Sequence, residues 1–319
     1  MNMPYNVPFH GNFFIHGWPT YLDGSPAKSP YSGGCIRLSL EDAKDVYNLT
    51  TIGIPVLVFE DSFTGLAGGY DLDMPEIDAE RYLTADLANN FIFSERGRTE
   101  AVPLGSLTHL MVALVATEHT NMNAKIYVPG KALVPTAVPR LVAGKNYRLY
   151  ELLFPLLMES SDEAASALAS FHGTSRFLDL LNEKATSLGM SDTAFTDVSS
   201  TSQGNTSTAE DLFHLAKYLH SYRSFILDIR EGILEKSIYG TPPFDDLVAL
   251  HSLSDDTDSA GENDASGANQ FFVTDLDFDG ETQPLVFIFL DVTDPTANKE
   301  KVARISSYIS HTYQPVKEA

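Results

Sequence analysis

The run Val102-Pro103-Leu104-Gly105-Ser106-Leu107-Thr108-His109-Leu110-Met111 opens an apolar helix predicted to reach about Thr117. By local chemistry Ser106 reads as the N-cap of that helix, and His109 as an exposed or satisfied helix residue. Upstream, Arg81 to Asp86 and Asn90 to Ser94 suggest a hairpin. Downstream, Ala124 to Val128 is strand-like, and apolar periodicity predicts helices over Leu149 to Met158, Ser161 to Phe171 and Arg176 to Leu188. Ser207-Thr208-Ala209-Glu210 sets a Ser/Thr cap and an acid ahead of a helix over Leu212 to Tyr222. Strands fit Leu247 to Leu253, Gln270 to Asp275 and Leu285 to Leu290, and a closing helix runs about Lys299 to His311. Strands at both ends with helices between them predict an α+β sandwich.

Four motifs in this segment resemble the D-alanyl-D-alanine carboxypeptidase family, which shares its fold with the penicillin-recognising serine hydrolases. Ser106-Leu107-Thr108-His109-Leu110-Met111 matches the family's Ser-Leu-Thr-Lys-Leu-Met helix start. Ser160-Ser161-Asp162-Glu163-Ala164-Ala165 stands at its Ser-Gly-Asn-Asp-Ala-Ala segment. Leu188-Gly189-Met190-Ser191-Asp192-Thr193-Ala194-Phe195 matches its Leu-Gly-Met-x-x-Thr-x-Phe turn, and Ser207-Thr208-Ala209 its Ser-Thr-Ala helix start.

The resemblance implies a serine nucleophile at Ser106 and a lysine one helical turn later, within reach of the hydroxyl. That position is His109. The second motif implies a Ser and an Asn, where this chain has Ser160 and Asp162. The third implies Lys-Thr-Gly, and the best match is Gly261-Glu262-Asn263-Asp264, two acids where a cation belongs. Imidazole is a competent base near neutral pH, but it is shorter than lysine and does not stay charged as an ammonium does. The three departures together predict a degenerate, inactive serine site.

Near the N-terminus, Phe14-Ile15-His16-Gly17-Trp18 is followed by Ser32-Gly33-Gly34-Cys35-Ile36-Arg37, which holds the only cysteine. Only a thiolate attacks at neutral pH, so a cysteine nucleophile needs a base, and His16 ends a short β-like run that would hold one. The Gly-Gly turn before Cys35 lets backbone N–H groups converge on a carbonyl oxygen, and Arg37 adds a cation suited to a carboxylate. With Leu40-Glu41-Asp42-Ala43 and Gly53-Ile54-Pro55-Val56, this resembles the C-terminal half of the L,D-transpeptidase catalytic domain. The resemblance implies Cys35 as nucleophile, His16 as base and the Gly17 carbonyl as the group orienting His16. Gly34 and Cys35 would supply the oxyanion hole, with Ser32 and Arg37 lining the site. Many members have His where this chain has Gly33. Residues 1–60 correspond to half of that domain and bury little core alone, so the expectation is a fragment, a mis-started reading frame, or a remnant packed on the rest of the chain.

Acids outnumber bases 43 to 21, a formal charge of −22, which argues against nucleic acid and anionic lipid as partners. No signal-peptide pattern opens the chain and no apolar run is long enough to span a membrane. No cofactor is called for. His214 and His220 share a helix at a spacing that does not put both on one face as metal ligands. The acids of Asp255 to Asp264 lack the alternating ligand spacing of a calcium loop, so they read as solvated. The sequence therefore predicts a partial L,D-transpeptidase-like module (1–60), a Pro/Gly-punctuated acidic linker (61–78) and a carboxypeptidase-like α+β domain (79–313). The expected protein acts at the cell envelope on peptidoglycan stem peptides by acyl transfer through Cys35. The alternatives are a serine D-Ala-D-Ala carboxypeptidase acting through Ser106, and a non-catalytic wall-binding protein.

Overall fold

The computed structural model describes residues 3–10, 13–21, 24–27, 35–51, 54, 77, 79–233, 241–251, 269–278, 281–292 and 298–312. The chain divides into two compact units, Met1–Tyr70 and Asp71–Ala319.

In the first unit, strands β1 (Val7–His10), β2 (Phe13–Gly17) and β3 (Ile36–Leu38) form one sheet in that order. β1 and β2 pair antiparallel, whereas β2 and β3 run parallel with His16 opposite Arg37. Helix α1 (Leu40–Leu49) packs on β2 and β3. Ser39 caps it by accepting from the Asp42 N–H at 3.0 Å, and Glu41 and Asp42 sit in the first turn, where the helix dipole favours acids. The Gly53-Ile54-Pro55-Val56 motif lies outside the described residues apart from Ile54, as does the expected linker apart from Ile77.

The second unit is built on a sheet of four antiparallel strands in the order β10-β11-β4-β5. In chain order its elements begin with β4 (Ala79–Asp86), β5 (Ile92–Arg96), β6 (Val102–Pro103) and α2 (Thr108–His119). Next come β7 (Lys125–Tyr127), β8 (Asn146–Arg148), α3 (Leu149–Met158), α4 (Asp162–His172) and α5 (Thr174–Ser187). Then follow β9 (Thr206–Ser207), α6 (Ala209–Tyr222), α7 (Ser224–Arg230), β10 (Gln270–Phe278), β11 (Glu281–Val292) and α8 (Asn298–Thr312).

The apolar run Leu285 to Leu290 in β11 is unbroken because both faces of the sheet are covered. Val286, Ile288 and Leu290 point into the main helical core, while Leu285, Phe287 and Phe289 face Val302, Ile305 and Ile309 of α8. α2 is apolar on every side, and all residues from Thr108 to Ala116 are buried, as a helix through the middle of a core must be. α6 closes over β4 and β11.

One expected strand is absent. Residues 247–249 are irregular and 250–251 form a turn, with 252 and 253 outside the described residues. A polar network takes the place of a ladder: Arg140 donates to the backbone carbonyls of Asp245 (2.6 Å) and Asp246 (2.8 Å), and the Val248 N–H donates to Glu159. α7 was not predicted, because seven residues without a side-chain cap give no readable period.

Candidate functional site

Ser106 does not cap a helix. It lies in a short 3₁₀ turn, Gly105–Leu107, that leads directly into α2 with no side-chain cap bond. Gly105 has φ +58, a conformation open to glycine at little cost, and it turns the chain from β6 into the helix. The Ser106 side chain is 1% exposed, and its Oγ has no hydrogen-bond partner among the described residues. A buried hydroxyl left unpaired costs about 1–3 kcal/mol. That is not the environment of a structural cap.

His109 is not exposed either. One turn along the same face, it is 1% exposed. Its Nε2–H donates to Asp162 Oδ1 at 3.1 Å, and its Nδ1 is buried with no partner among the described residues. The ring is thus held from one side while its other nitrogen stays open.

Asp162 is the first residue of α4, where the positive end of the helix dipole favours a carboxylate. Besides His109 it accepts from the Ser200 N–H at 2.7 Å, the Ser200 hydroxyl at 3.1 Å and the Ser199 hydroxyl at 3.2 Å. Burial pushes its pKa up. The hydrogen bond and charge of His109 and the Ser200 donors outweigh that and hold the carboxyl below its ordinary range.

The loop bringing Ser199 and Ser200 to Asp162 hangs on Asn205, which is fully buried. Its carbonyl accepts from the N–H groups of Thr196 and Asp197, and its amide donates to the carbonyls of Asp197 and Ser199 and to Thr108 at the start of α2. The Leu-Gly-Met-x-x-Thr-x-Phe turn is structural: Thr193 donates to Asp211 at 2.7 Å, and Phe195 is buried.

Between α3 and α4 the chain turns through Glu159, Ser160 and Ser161. Ser161 caps α4 through the Ala164 N–H. Ser160 takes φ +52, a costly conformation for a serine that tends to be kept at functional sites. Its Oγ lies 2.8 Å from His251 Nε2. His251 fell within the expected strand, and no local pattern marks it, because only the tertiary turn brings it to Ser160. Burial foremost, then the charges of Arg230 and His109, push its pKa well below the usual imidazole value.

Glu159 is fully buried and paired with Arg140, whose Nε donates to it at 2.8 Å. Removing one partner of a buried pair strands the other charge. Arg140→Ala is expected to cost about 3–5 kcal/mol, a fall of roughly 10 °C in Tm, readable by differential scanning calorimetry. Arg140→Lys, which keeps charge but loses the fork, should fall between that variant and the parent.

In the first unit, His16 is buried and its Nδ1–H donates to the Gly17 carbonyl at 2.7 Å, leaving Nε2 as the basic nitrogen. Parallel register puts His16 beside Arg37, and Cys35 immediately precedes β3. Cys35 is a partly buried cysteine, and the Arg37 guanidinium sits 5.3 Å from the Trp18 ring centroid. Ser32, Gly33 and Gly34 lie outside the described residues, as do the third-motif match Gly261–Asp264 and the acidic run 255–264.

A sheet flanked by helices, with a serine one turn ahead of a histidine and a second serine on the α3–α4 turn, fits the penicillin-binding carboxypeptidase fold. A D-alanyl-D-alanine carboxypeptidase from Mycobacterium tuberculosis is similar over 77% of this chain and 96% of its own, with a TM-score of 0.63 at 20% identity. The chain belongs to the D-alanyl-D-alanine carboxypeptidase family, whose match covers residues 70–231. Residues 1–58 match the L,D-transpeptidase catalytic domain. A D-alanyl-D-alanine endopeptidase of Haemophilus influenzae is 34% identical over 145 residues, 44% of this chain and 50% of that protein. The endopeptidase of Escherichia coli is 28% identical over 146 residues, 44% of this chain and 47% of its own. The chain thus spans about half the length of the curated relatives it matches. These likenesses favour the serine alternative over the cysteine reading. Among the described residues no helix is long and apolar enough to cross a membrane.

Proposed function

We propose that this protein is a serine-type D-Ala-D-Ala peptidase of the cell envelope, acting on peptidoglycan stem peptides through Ser106. The observation that carries this reading is the pair of unpartnered buried atoms on one helix face, Ser106 Oγ and His109 Nδ1, with the far side of the imidazole fixed by Asp162. Ser106 Oγ forms a bond to the carbonyl carbon of the D-Ala-D-Ala amide as its proton passes to His109 Nδ1. The C–N bond breaks, the D-Ala amine takes that proton, and water hydrolyses the acyl-enzyme. Asp162 fixes the imidazole and stabilises its charged form, as a carboxylate does in a Ser-His-Asp triad. His109 and Asp162 then act as a matched replacement for the family's lysine and asparagine, in place of the decay expected from each departure alone. The test is release of D-alanine from a D-Ala-D-Ala-terminated peptide, followed chromatographically and blocked by penicillin. No release above a heat-treated control would refute the reading.

A second reading applies to the first unit, favoured by the parallel pairing that sets His16 opposite Arg37, two residues after Cys35, and by the likeness of residues 1–58. There Cys35 would be acylated by an L–D stem-peptide bond. Incubation with a carbapenem is expected to add its mass to Cys35, and Cys35→Ala to remove that adduct while D-alanine release persists. A Cys35 adduct absent from the parent protein would reject it.

A further inference from the structure

Among the described residues the second unit sets a further serine beside a histidine, Ser160 and His251, which the mechanism above does not use. Resting on that reading, we propose that Ser160 and His251 form a separate proton relay that hydrolyses the acyl-enzyme, with His251 acting through the Ser160 hydroxyl. The two bases would divide the cycle: His109 serves formation of the ester on Ser106, and His251 serves its hydrolysis.

The geometry separates the pairs while keeping them close. His109 is committed through Nε2 to Asp162, whereas His251 is committed through Nε2 to Ser160, the residue two before Asp162 on the same turn. Ser160 reaches His251 because its backbone takes φ +52, which aims the side chain away from the path a helical residue would follow. The segment leading into His251 is anchored at two points. The Leu250 N–H donates to the Met158 carbonyl, and Arg140 clamps the carbonyls of Asp245 and Asp246. Such anchoring fixes an imidazole in place, which general-base catalysis requires.

A base must be neutral before it works. The groups acting on His251 are Ser160, buried Arg230 and His109, and burial foremost pushes its pKa well below the usual imidazole value, which favours the neutral ring. The proton path balances. Water oxygen bonds to the acyl carbon, its proton passes to Ser160 Oγ, and the Ser160 proton passes to His251 Nε2. When the C–O bond to Ser106 breaks, the same proton returns through the Ser160 hydroxyl to Ser106 Oγ, and His251 is neutral again.

The experiment uses the full chain and benzylpenicillin, with adduct formation and, after removal of free drug, adduct decay followed by intact mass. His251→Gln keeps a hydrogen-bonding group near Ser160 but cannot accept the proton, and Ser160→Ala removes the relay hydroxyl. Both variants are expected to form the Ser106 adduct at close to the parent rate and to lose it about a hundredfold more slowly. Thermal melting confirms that each variant is folded, and Arg140→Lys serves as a loosened-segment control expected to slow formation and decay alike. Decay at the parent rate in His251→Gln overturns the relay, as does a proportionate fall of both steps. Absence of any Ser106 adduct in the parent protein would overturn the serine reading, and the relay with it.

Discussion

Ser106→Ala is expected to abolish D-alanine release and to leave the protein at least as stable as the parent. The first effect follows from removing a nucleophile that acts as a unit with its base, a loss on the order of 10⁶ in kcat in comparable sites. The second follows from burial. Ser106 Oγ is shielded from solvent without a partner among the described residues, so replacing it with a methyl group removes an unpaired polar atom. Relief of about 1 kcal/mol would raise Tm by about 2–4 °C. A capping serine would do the opposite, since its loss costs about 1 kcal/mol. Activity assay and calorimetry on one variant therefore separate the two roles.

Asp162→Asn should lower kcat by about 10²–10⁴ with little change in KM. Four donors converge on this carboxylate: the His109 ring, the Ser199 and Ser200 hydroxyls and the Ser200 N–H. An amide has one acceptor oxygen and adds an N–H pair, so at least one donor loses its partner and the charged imidazole loses its counter-ion. The folded carboxyl titrates below its ordinary value, so its stabilising contribution is complete above the ordinary carboxylate range. It is lost as pH falls through the depressed folded value. Acid unfolding of Asp162→Asn should lack that component. A parent and variant with identical acid-unfolding curves and identical kcat would show that Asp162 does not support His109.

Much of the fold was legible because the elements that build it are long and periodic. The apolar helix after Ser106, the helices ending at Met158 and Tyr222 and the run Leu285 to Leu290 all declared themselves by pattern. The short pieces did not. β6, β9 and α7 are too brief to carry a period, and the irregular segment 247–251 has an apolar sequence that reads as a strand until Arg140 and Glu159 are seen to hold it.

The site was half legible. Ser106, His109, Ser160 and Asp162 could be placed from motif spacing. The contact between two of them could not, because two departures from a pattern look unrelated until His109 and Asp162 are found 3.1 Å apart. Asn205 and His251 were invisible, since each acts on residues distant in sequence with no local signature.

Peptide mapping after incubation with benzylpenicillin tests the serine assignment most directly, because the drug mimics the acyl substrate. A penicilloyl mass on the peptide bearing Ser106, absent from Ser106→Ala and strongly reduced in Asp162→Asn, is the predicted result. A parent protein that carries no adduct on Ser106 would contradict it.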